Sequence, residues 1–410
     1  VSSLPLDGVL VVAIEQAVAA PLATRSLADL GARVIKVERP PAGDLARGYD
    51  HLVHGTGAHF VWLNRGKESL AVDLKVPAGR DAVRRLIDRA DVVVQNLAPG
   101  AAVRLGLDPE TLRADRPELV VGSITGYGAG GSMRDRKAYD MLIQAEAGLM
   151  SLTGTPETPV KTGIPASDIA SGVHLAQGVL AALVRRLRTG EGATIEVSML
   201  EATVEWVSHA LYAQLATGAQ PPRMSTGHAS IAPYDAYPTR DGELLIGVQS
   251  ENGWTALCRV LGLEHLGPDP RFATNVARVQ HRDACDALVA GRTRRWLTAD
   301  LDAALARAGV PAAQVRRMDH VVAHPQLRER DRWRTVRTPH ASVPALLPPV
   351  TFADAEAAMG DVPALGSHTV DLLLEAGLDG SAVDGLVATG AALQAASPRP
   401  DRRSRSSRPS

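Results

Sequence analysis

Gly8-Val9-Leu10-Val11-Val12-Ala13-Ile14 is a continuous apolar run of strand length, and Ala32-Arg33-Val34-Ile35-Lys36-Val37-Glu38 is a second. Residues 21–30 between them read as a helix, opened by Pro21 and closed by Gly31. Strand, helix and strand in succession make a β-α-β unit. Strands that are apolar throughout, rather than alternating, belong to a parallel sheet covered on both faces. The class is therefore α/β, with a Rossmann-like large domain. The turn after the first strand, Glu15-Gln16-Ala17-Val18-Ala19-Ala20-Pro21, contains no glycine. A pyrophosphate approaching a helix N-terminus closely needs glycines there, so the dinucleotide fingerprint is absent.

Further along, residues 69–74 alternate as a strand, and 77–89 form an amphipathic helix with Val83, Leu86 and Ile87 on one face. Residues 90–96 are another strand, ending in Asn96-Leu97-Ala98-Pro99-Gly100, and a short helix follows at 109–113. The strand 119–125 runs into Gly126-Tyr127-Gly128-Ala129-Gly130-Gly131. That run fits G-x-G-x-x-G, but residues 132–137 read as a loop, so the helix such a site requires is missing. Open α/β sheets bind ligands at the carboxyl ends of their strands. Arg39, Lys67, Asn96, Arg104 and Lys137 fall around those ends. Each alone reads as a solvated surface group. Together they suit an anionic ligand held without a glycine loop.

Pro165-Ala166-Ser167-Asp168-Ile169-Ala170-Ser171-Gly172-Val173-His174 opens a long apolar helix running to 187. Ile169, Val173, Ala176, Val179, Leu180 and Leu183 recur at helical spacing, which predicts a buried face. Pro165 marks the boundary, and Ser167 or Asp168 suits the N-cap. Two readings of Asp168 stand open: a capping residue, or a carboxylate nucleophile aimed by the helix. Free N–H groups at such an end stabilise the anion. A turn at 189–192, a strand at 193–199 and a helix to about 216 come next. Ala219-Gln220-Pro221-Pro222-Arg223 then marks the best boundary in the chain. It separates 1–218 from a smaller α+β domain at 219–330, with a strand at 244–248 and helices near 253–261, 282–290 and 299–308. Residues 331–395, with a helix at 368–376, return to the large domain. Residues 396–410 are rich in Pro, Ser and Arg, the composition of a disordered basic tail.

A chain of 410 residues exceeds one ordinary core and fits two domains. Aromatics are 3%, so the core rests on Ala, Val and Leu. The net charge of −1 argues against a dedicated nucleic-acid binder. No unbroken apolar run approaches the roughly 18 residues of a membrane span, and Val1-Ser2-Ser3-Leu4-Pro5 has no signal-peptide character. Cys258 and Cys285 make neither a disulfide framework nor a zinc site, and the cytoplasm is the expected compartment. His320 and His324 have the zinc-helix spacing without the Glu or a third ligand, so no metal is expected. His51, His54 and His59 cluster in an expected loop with no mechanism pairing them. No G-x-S-x-G elbow or P-loop occurs.

Separate blocks, in order over roughly residues 4–390, resemble the family III CoA-transferases of the formyl-CoA transferase type. They are Leu4-Pro5-Leu6-Asp7-Gly8 with Leu30-Gly31-Ala32-Arg33-Val34-Ile35-Lys36-Val37-Glu38, then Gly43-Asp44, then 64–75. Val94-Gln95-Asn96-Leu97-Ala98-Pro99-Gly100 is similar to the signature V-x-N-F-x-P-G. Lys137-Ala138-Tyr139-Asp140 and Ser167-Asp168-Ile169-Ala170-Ser171-Gly172 resemble the segment carrying the family's catalytic aspartate. Thr189-Gly190-Glu191-Gly192 and Leu365-Gly366-Ser367-His368-Thr369 complete the pattern.

The resemblance implies a large domain built from both chain ends, a linked smaller domain, and an interlocked homodimer with its active site between domains and subunits. It implies that Asp168 carries CoA as an aspartyl thioester, with an acyl-CoA and a small carboxylic acid as substrates and no resident cofactor. Arg39, Lys67, Asn96, Leu97, Arg104 and Lys137 fall on CoA-contacting segments, and Tyr139 lies in the site segment. Two departures shift the expected acceptor. A glutamine of the formyl-CoA enzyme aligns with Val18, leaving Gln16 two residues away, and the glycine-rich flap is replaced by Thr226-Gly227-His228-Ala229-Ser230-Ile231-Ala232-Pro233-Tyr234. That stretch is more similar to the branch using malate, citramalate, itaconate or mesaconate, often with succinyl-CoA. His228 then either meets an acceptor carboxylate or is structural. The sister racemases place a histidine where this chain has Tyr139, a poor base at a phenol pKa of about 10, so racemase ranks below transferase. A silent CoA binder is the third reading.

Overall fold

The computed structural model describes residues 3–395; the expected tail at 396–410 lies outside the described residues. They divide into two compact units, 3–149 with 162–208 and 331–395, and 150–161 with 209–330. The division departs from the boundary at 218 in two places: it falls at 208, so that 209–218 belong to the second unit, and 150–161 join that unit through hydrogen bonds to residues beyond 218. Arg223 donates to the carbonyls of Thr155 and Pro156 at 2.8 and 2.6 Å, and the Ser225 N–H to that of Gly154 at 2.9 Å.

In the first unit β1 (Leu10–Ile14), α1 (Ala19–Asp29), β2 (Arg33–Glu38), α2 (Ala58–Asn64), β3 (Lys67–Val72), α3 (Pro77–Ile87) and β4 (Val92–Gln95) succeed one another. The short α4 (Ala101–Leu105) and α5 (Pro109–Arg113) lead to β5 (Val120–Thr125) and α6 (Asp140–Glu146). α7 (Leu149–Leu152) leads into the segment 150–161 of the second unit. The first unit resumes with α8 (Ala166–Thr189), β6 (Thr194–Ser198) and α9 (Met199–Trp206), and α10 (Ser208–Thr217) opens the longer segment of the second unit. His59, expected in a loop, thus lies on a helix, and the helix expected to run to 216 breaks at Val207.

β1 to β6 run parallel in the order β3-β2-β1-β4-β5-β6, and β12 (Ala392–Leu393) adds antiparallel to β3. The chain builds outward from β1, then returns to its other side with β4. The switch point lies between these two strands. Their register pairs Ile14 with Gln95, so both strands end at one height. Val11, Val12 and Ala13 are each 0% exposed, because successive side chains enter opposite, covered faces. Val12, Val37 and Leu70 pack with α3 residues Leu86 and Ile87; Val11, Ala13 and Val94 pack with α1 and α8.

α8 buries Ala170, Leu175, Val179 and Leu183 but leaves Val173 exposed, contrary to the periodic reading. By length and composition α8 could cross a membrane, although no unbroken apolar run predicted it; here it packs on β5, β6 and α1. Gly172 makes that packing close: a Cβ there would lie 2.5 Å from the Ala19 carbonyl oxygen.

The second unit holds an antiparallel sheet of β7 (Tyr234–Pro238), β8 (Glu243–Gly247) and β9 (Ala312–Ala313). Around it pack α11 (Glu251–Leu261), α12 (Asn275–Gln280), α13 (Arg282–Thr293) and α14 (Thr298–Arg307), with Leu244, Ile246, Trp254 and Phe272 in the core. Cys258 and Cys285 are free and buried in it, and burial pushes both thiols up to about 12. The hairpin of β10 (Trp333–Arg337) and β11 (Ser342–Leu346) belongs to the first unit.

Candidate active site

The carboxyl ends of β1 and β4 are stitched together. Asn96 accepts from the Gln16 N–H at 3.0 Å and donates to the Gln16 carbonyl at 2.9 Å. The Gln16 side chain is exposed, whereas its peptide is clamped. The next residue, Ala17, has φ +65°, and its N–H donates to Asp44 Oδ1 at 2.8 Å. Alanine in the left-handed region costs about 1–2 kcal/mol. Val18 then packs with Leu22, Leu63 and Ile169, joining the start of α1 to the start of α8.

Behind this turn runs a chain of buried charges. Lys67 Nζ lies 2.6 Å from Glu15 Oε1, Glu15 Oε1 lies 3.4 Å from Lys36 Nζ, and Lys36 Nζ lies 2.7 Å from Asp44 Oδ2, all four side chains being 0% exposed. Burial opposes the charge on Glu15, but Lys67 and Lys36 beside it hold its carboxyl below the usual range. Burial drives the Lys67 ammonium down to about 8. Lys67 also donates to the Pro21 carbonyl and to Asn64 Oδ1. Its assignment to CoA is therefore corrected: all three N–H bonds point inward, so none reaches a phosphate.

Asp168 sits in the first turn of α8 but does not cap it; Pro165 holds the cap position and caps no N–H by its side chain. The capping group comes from α6. Asp140 Oδ1 accepts from the N–H groups of Ser167 and Asp168 at 2.8 and 3.2 Å, and its Oδ2 accepts from Gln144 Nε2 at 2.7 Å. Gln144 Oε1 in turn accepts from Thr162 N–H and Oγ–H at 3.0 and 3.1 Å, fixing the approach to α8. The donors expected to stabilise the Asp168 anion are thus spent on Asp140. Burial, and secondarily the Asp140 carboxylate, push the Asp168 carboxyl up to about 7. A carboxylate of raised basicity, half-buried and fixed at a helix start, is a better nucleophile than an ordinary one.

Asp140 escaped the sequence reading, although an Asp four residues before Gln144 is a helix-pairing signal. Tyr49 was missed as well: burial, and secondarily the Asp44 and Asp168 carboxylates, raise its phenol. His59 lies on α2 rather than in a loop, edge-on to Tyr49 and Trp62 at 5.9 and 6.3 Å, with a buried Nδ1 that has no hydrogen-bond partner.

Arg39 follows β2, Arg104 lies on α4 beyond β4, and Lys137 precedes Ala138, which packs on Gly126 at the end of β5. All three are exposed, and among the described residues none has an ion-pair partner. The Leu97 side chain packs against the core, and its N–H donates to Gln95 Oε1. Tyr139 is 68% exposed at the start of α6. In the second unit His228 stacks on Tyr234 at 5.4 Å, and its Nδ1 accepts from the Ser230 N–H at 3.1 Å. His320 and His324 fall on either side of a helix break, and among the described residues no group of His, Cys, Asp or Glu is placed to hold a metal ion.

The family model for CoA-transferase family III matches residues 6–369. The succinate–glutarate CoA-transferase of Agrobacterium fabrum is 34% identical, over 90% of this chain and 95% of that protein. The succinyl-CoA:mesaconate CoA-transferase of Haloarcula marismortui is 32% identical, over 91% of this chain and 97% of that protein. The solved structure of a CAIB/BAIF family protein from Brucella suis is 37% identical, with a TM-score of 0.80, over 92% of this chain and 100% of that chain.

Proposed function

The chain belongs to CoA-transferase family III, and from that premise we propose that it moves coenzyme A from succinyl-CoA to a small dicarboxylate through a thioester on Asp168. The observation that carries the reading is the Asp168 carboxyl itself: half-buried, raised to about 7, and fixed at the start of α8. Relatives named for glutarate and mesaconate, with succinate or succinyl-CoA, support the substrate class.

An Asp168 oxygen attacks the donor's thioester carbonyl, and the C–S bond breaks to give a mixed anhydride and CoA thiolate. The thiolate attacks the aspartyl carbonyl, the donor leaves as its carboxylate, and CoA remains on Asp168. The acceptor carboxylate attacks that thioester carbonyl, and the thiolate released then attacks the acceptor's acyl carbon. Acceptor-CoA leaves and the Asp168 carboxylate is restored. No net proton moves, so the chain's task is orientation. Arg39, Arg104 and Lys137 are assigned to the CoA phosphates, being exposed and unpaired. Asn96 and Leu97 flank the CoA chain at the end of β4, and Gln16 and Tyr139 face substrate. His228, whose Nδ1 accepts from the Ser230 N–H, is assigned to a carboxylate of the acceptor. We further assign the protein to a homodimer.

Intact-protein mass spectrometry after incubation with succinyl-CoA tests the mechanism. A CoA-sized gain on the wild type, absent from Asp168→Asn, is expected. No adduct with any acyl-CoA, together with solvent deuterium entering a 2-methylacyl-CoA, would replace the reading by racemisation.

A further inference from the structure

The β1–α1 turn holds a non-glycine residue, Ala17, in a backbone conformation that side chains disfavour. Such a conformation persists only where the surroundings over-determine it. Here both peptides of the turn are held by side chains, Gln16 by Asn96 and Ala17 by Asp44. Asp44 is itself immobile. Its Oδ1 accepts a second bond from the Ala46 N–H at 2.9 Å, and its own N–H donates to Glu38 Oε1 at 3.0 Å. Its Oδ2 meets Lys36, at the end of the buried chain through Glu15 to Lys67. Glu15 receives Thr24 Oγ–H at 2.7 Å, and Lys67 donates to the Pro21 carbonyl at 3.0 Å, so the same chain grips α1. On the far side of the turn Ile169, the neighbour of Asp168, packs against the cluster of Val18, Leu22 and Leu63, and Gly172 lies close to the Ala19 carbonyl. A shift of the turn is therefore passed to the first turn of α8.

We propose that Asp44 is a positioning residue for the transfer reaction: by holding Ala17 left-handed it sets the start of α1 against the start of α8 and so fixes where Asp168 points. The inference rests on the reading of Asp168 as the nucleophile. Asp44 touches no reacting atom in this scheme. Its charge keeps it anchored to Lys36, and its Oδ1 sets the turn.

The test is the single-turnover formation of the Asp168 adduct with saturating succinyl-CoA, in the wild type, Asp44→Ala, Asp44→Asn, Ala17→Gly and the double variant Asp44→Ala/Ala17→Gly. The amplitude counts folded protein, and the rate constant reports positioning. Asp44→Ala should slow the rate about tenfold or more, since small misplacements of reacting groups are costly. Asp44→Asn keeps the acceptor oxygen and should stay within about threefold, with half-saturating succinyl-CoA changed little in either. Glycine occupies the left-handed region freely, so the double variant should recover roughly fivefold of the Asp44→Ala loss. A double variant as slow as Asp44→Ala, or Asp44→Ala at the wild-type rate, overturns the proposal. If Asp44→Ala yields no folded protein, Asp44→Ala made together with Lys36→Met, with and without Ala17→Gly, carries the same rescue test, because it removes both partners of the buried pair. A wild type that forms no adduct at all would instead sink the nucleophile assignment.

Discussion

At neutral pH the Asp168 carboxyl stands near its own midpoint, because burial and the Asp140 carboxylate both disfavour its anion. Only the anion attacks a thioester. The adduct rate in the free enzyme should therefore be low near pH 5, rise through about pH 7, and level off above about pH 8. Asp140→Asn removes the like charge but keeps an acceptor for the Ser167 and Asp168 N–H groups, so the midpoint should move to lower pH. Burial, the larger cause, remains, so the midpoint should stay above an ordinary aspartate's value of about 3.9. A pH–rate profile of both proteins checks this; an unchanged midpoint would mean Asp140 only caps α8. The position of Asp168 at a helix start was legible from Pro165 and the apolar spacing behind it. Its environment was not, because Asp140 arrives from 28 residues away. Lys67 misled for the same reason: a lysine near a strand looks solvated until Glu15 and Asn64 are seen around it.

Among the elements, α1 and α8 must meet closely for the turn and the nucleophile to communicate. Gly172→Ala gains about 1 kcal/mol of helix propensity, yet its Cβ would lie 2.5 Å from a backbone carbonyl that cannot rotate away. Overpacking of this kind costs about 1–3 kcal/mol, so the clash wins and the net change should be destabilising. Gly385→Ala, in the helix Gly380–Ala388 with nothing within 4 Å, should instead stabilise by up to about 1 kcal/mol. Opposite shifts in melting temperature for these two substitutions are expected; a stabilised Gly172→Ala would show that α1 and α8 can separate freely. The elements of the β-α-β repeat were legible because apolar period and Gly or Pro punctuation coincide, as at 8–14, 32–38 and 77–89. α2 was not: His51, His54 and His59 read as a loop cluster, while Phe60 and Leu63 turn inward on that helix. The β10–β11 hairpin was missed because Pro344 breaks its alternating pattern.

At the scale of the whole molecule, the composition shift near 219 marks a boundary about ten residues beyond the division at 208, and the join of 150–161 to the second unit depends on hydrogen bonds that no local pattern announces. The proposed homodimer, which the resemblance implied, is likewise a matter of surface that no local pattern announces. On α8, Val173, Val184 and Leu187 share one face and are exposed, Leu187 by 84%. On α10, Leu211, Tyr212 and Leu215 are exposed, Leu215 by 72%. Exposed apolar side chains grouped on one helix face suit an association surface. Fully burying one such leucine stabilises an interface by about 1.5–3 kcal/mol, so several together suffice for a lasting dimer. Light scattering should give twice the chain mass for the wild type. Leu187→Glu combined with Val184→Lys should lower that mass towards the single chain if the α8 face is in the interface, and Leu215→Glu should do so if the α10 face is. Far-ultraviolet circular dichroism should stay unchanged in each case, because these side chains contribute little to the folded core of their own chain. A wild type that runs as a single chain at micromolar concentration would refute the dimer, and would leave these faces to a different partner.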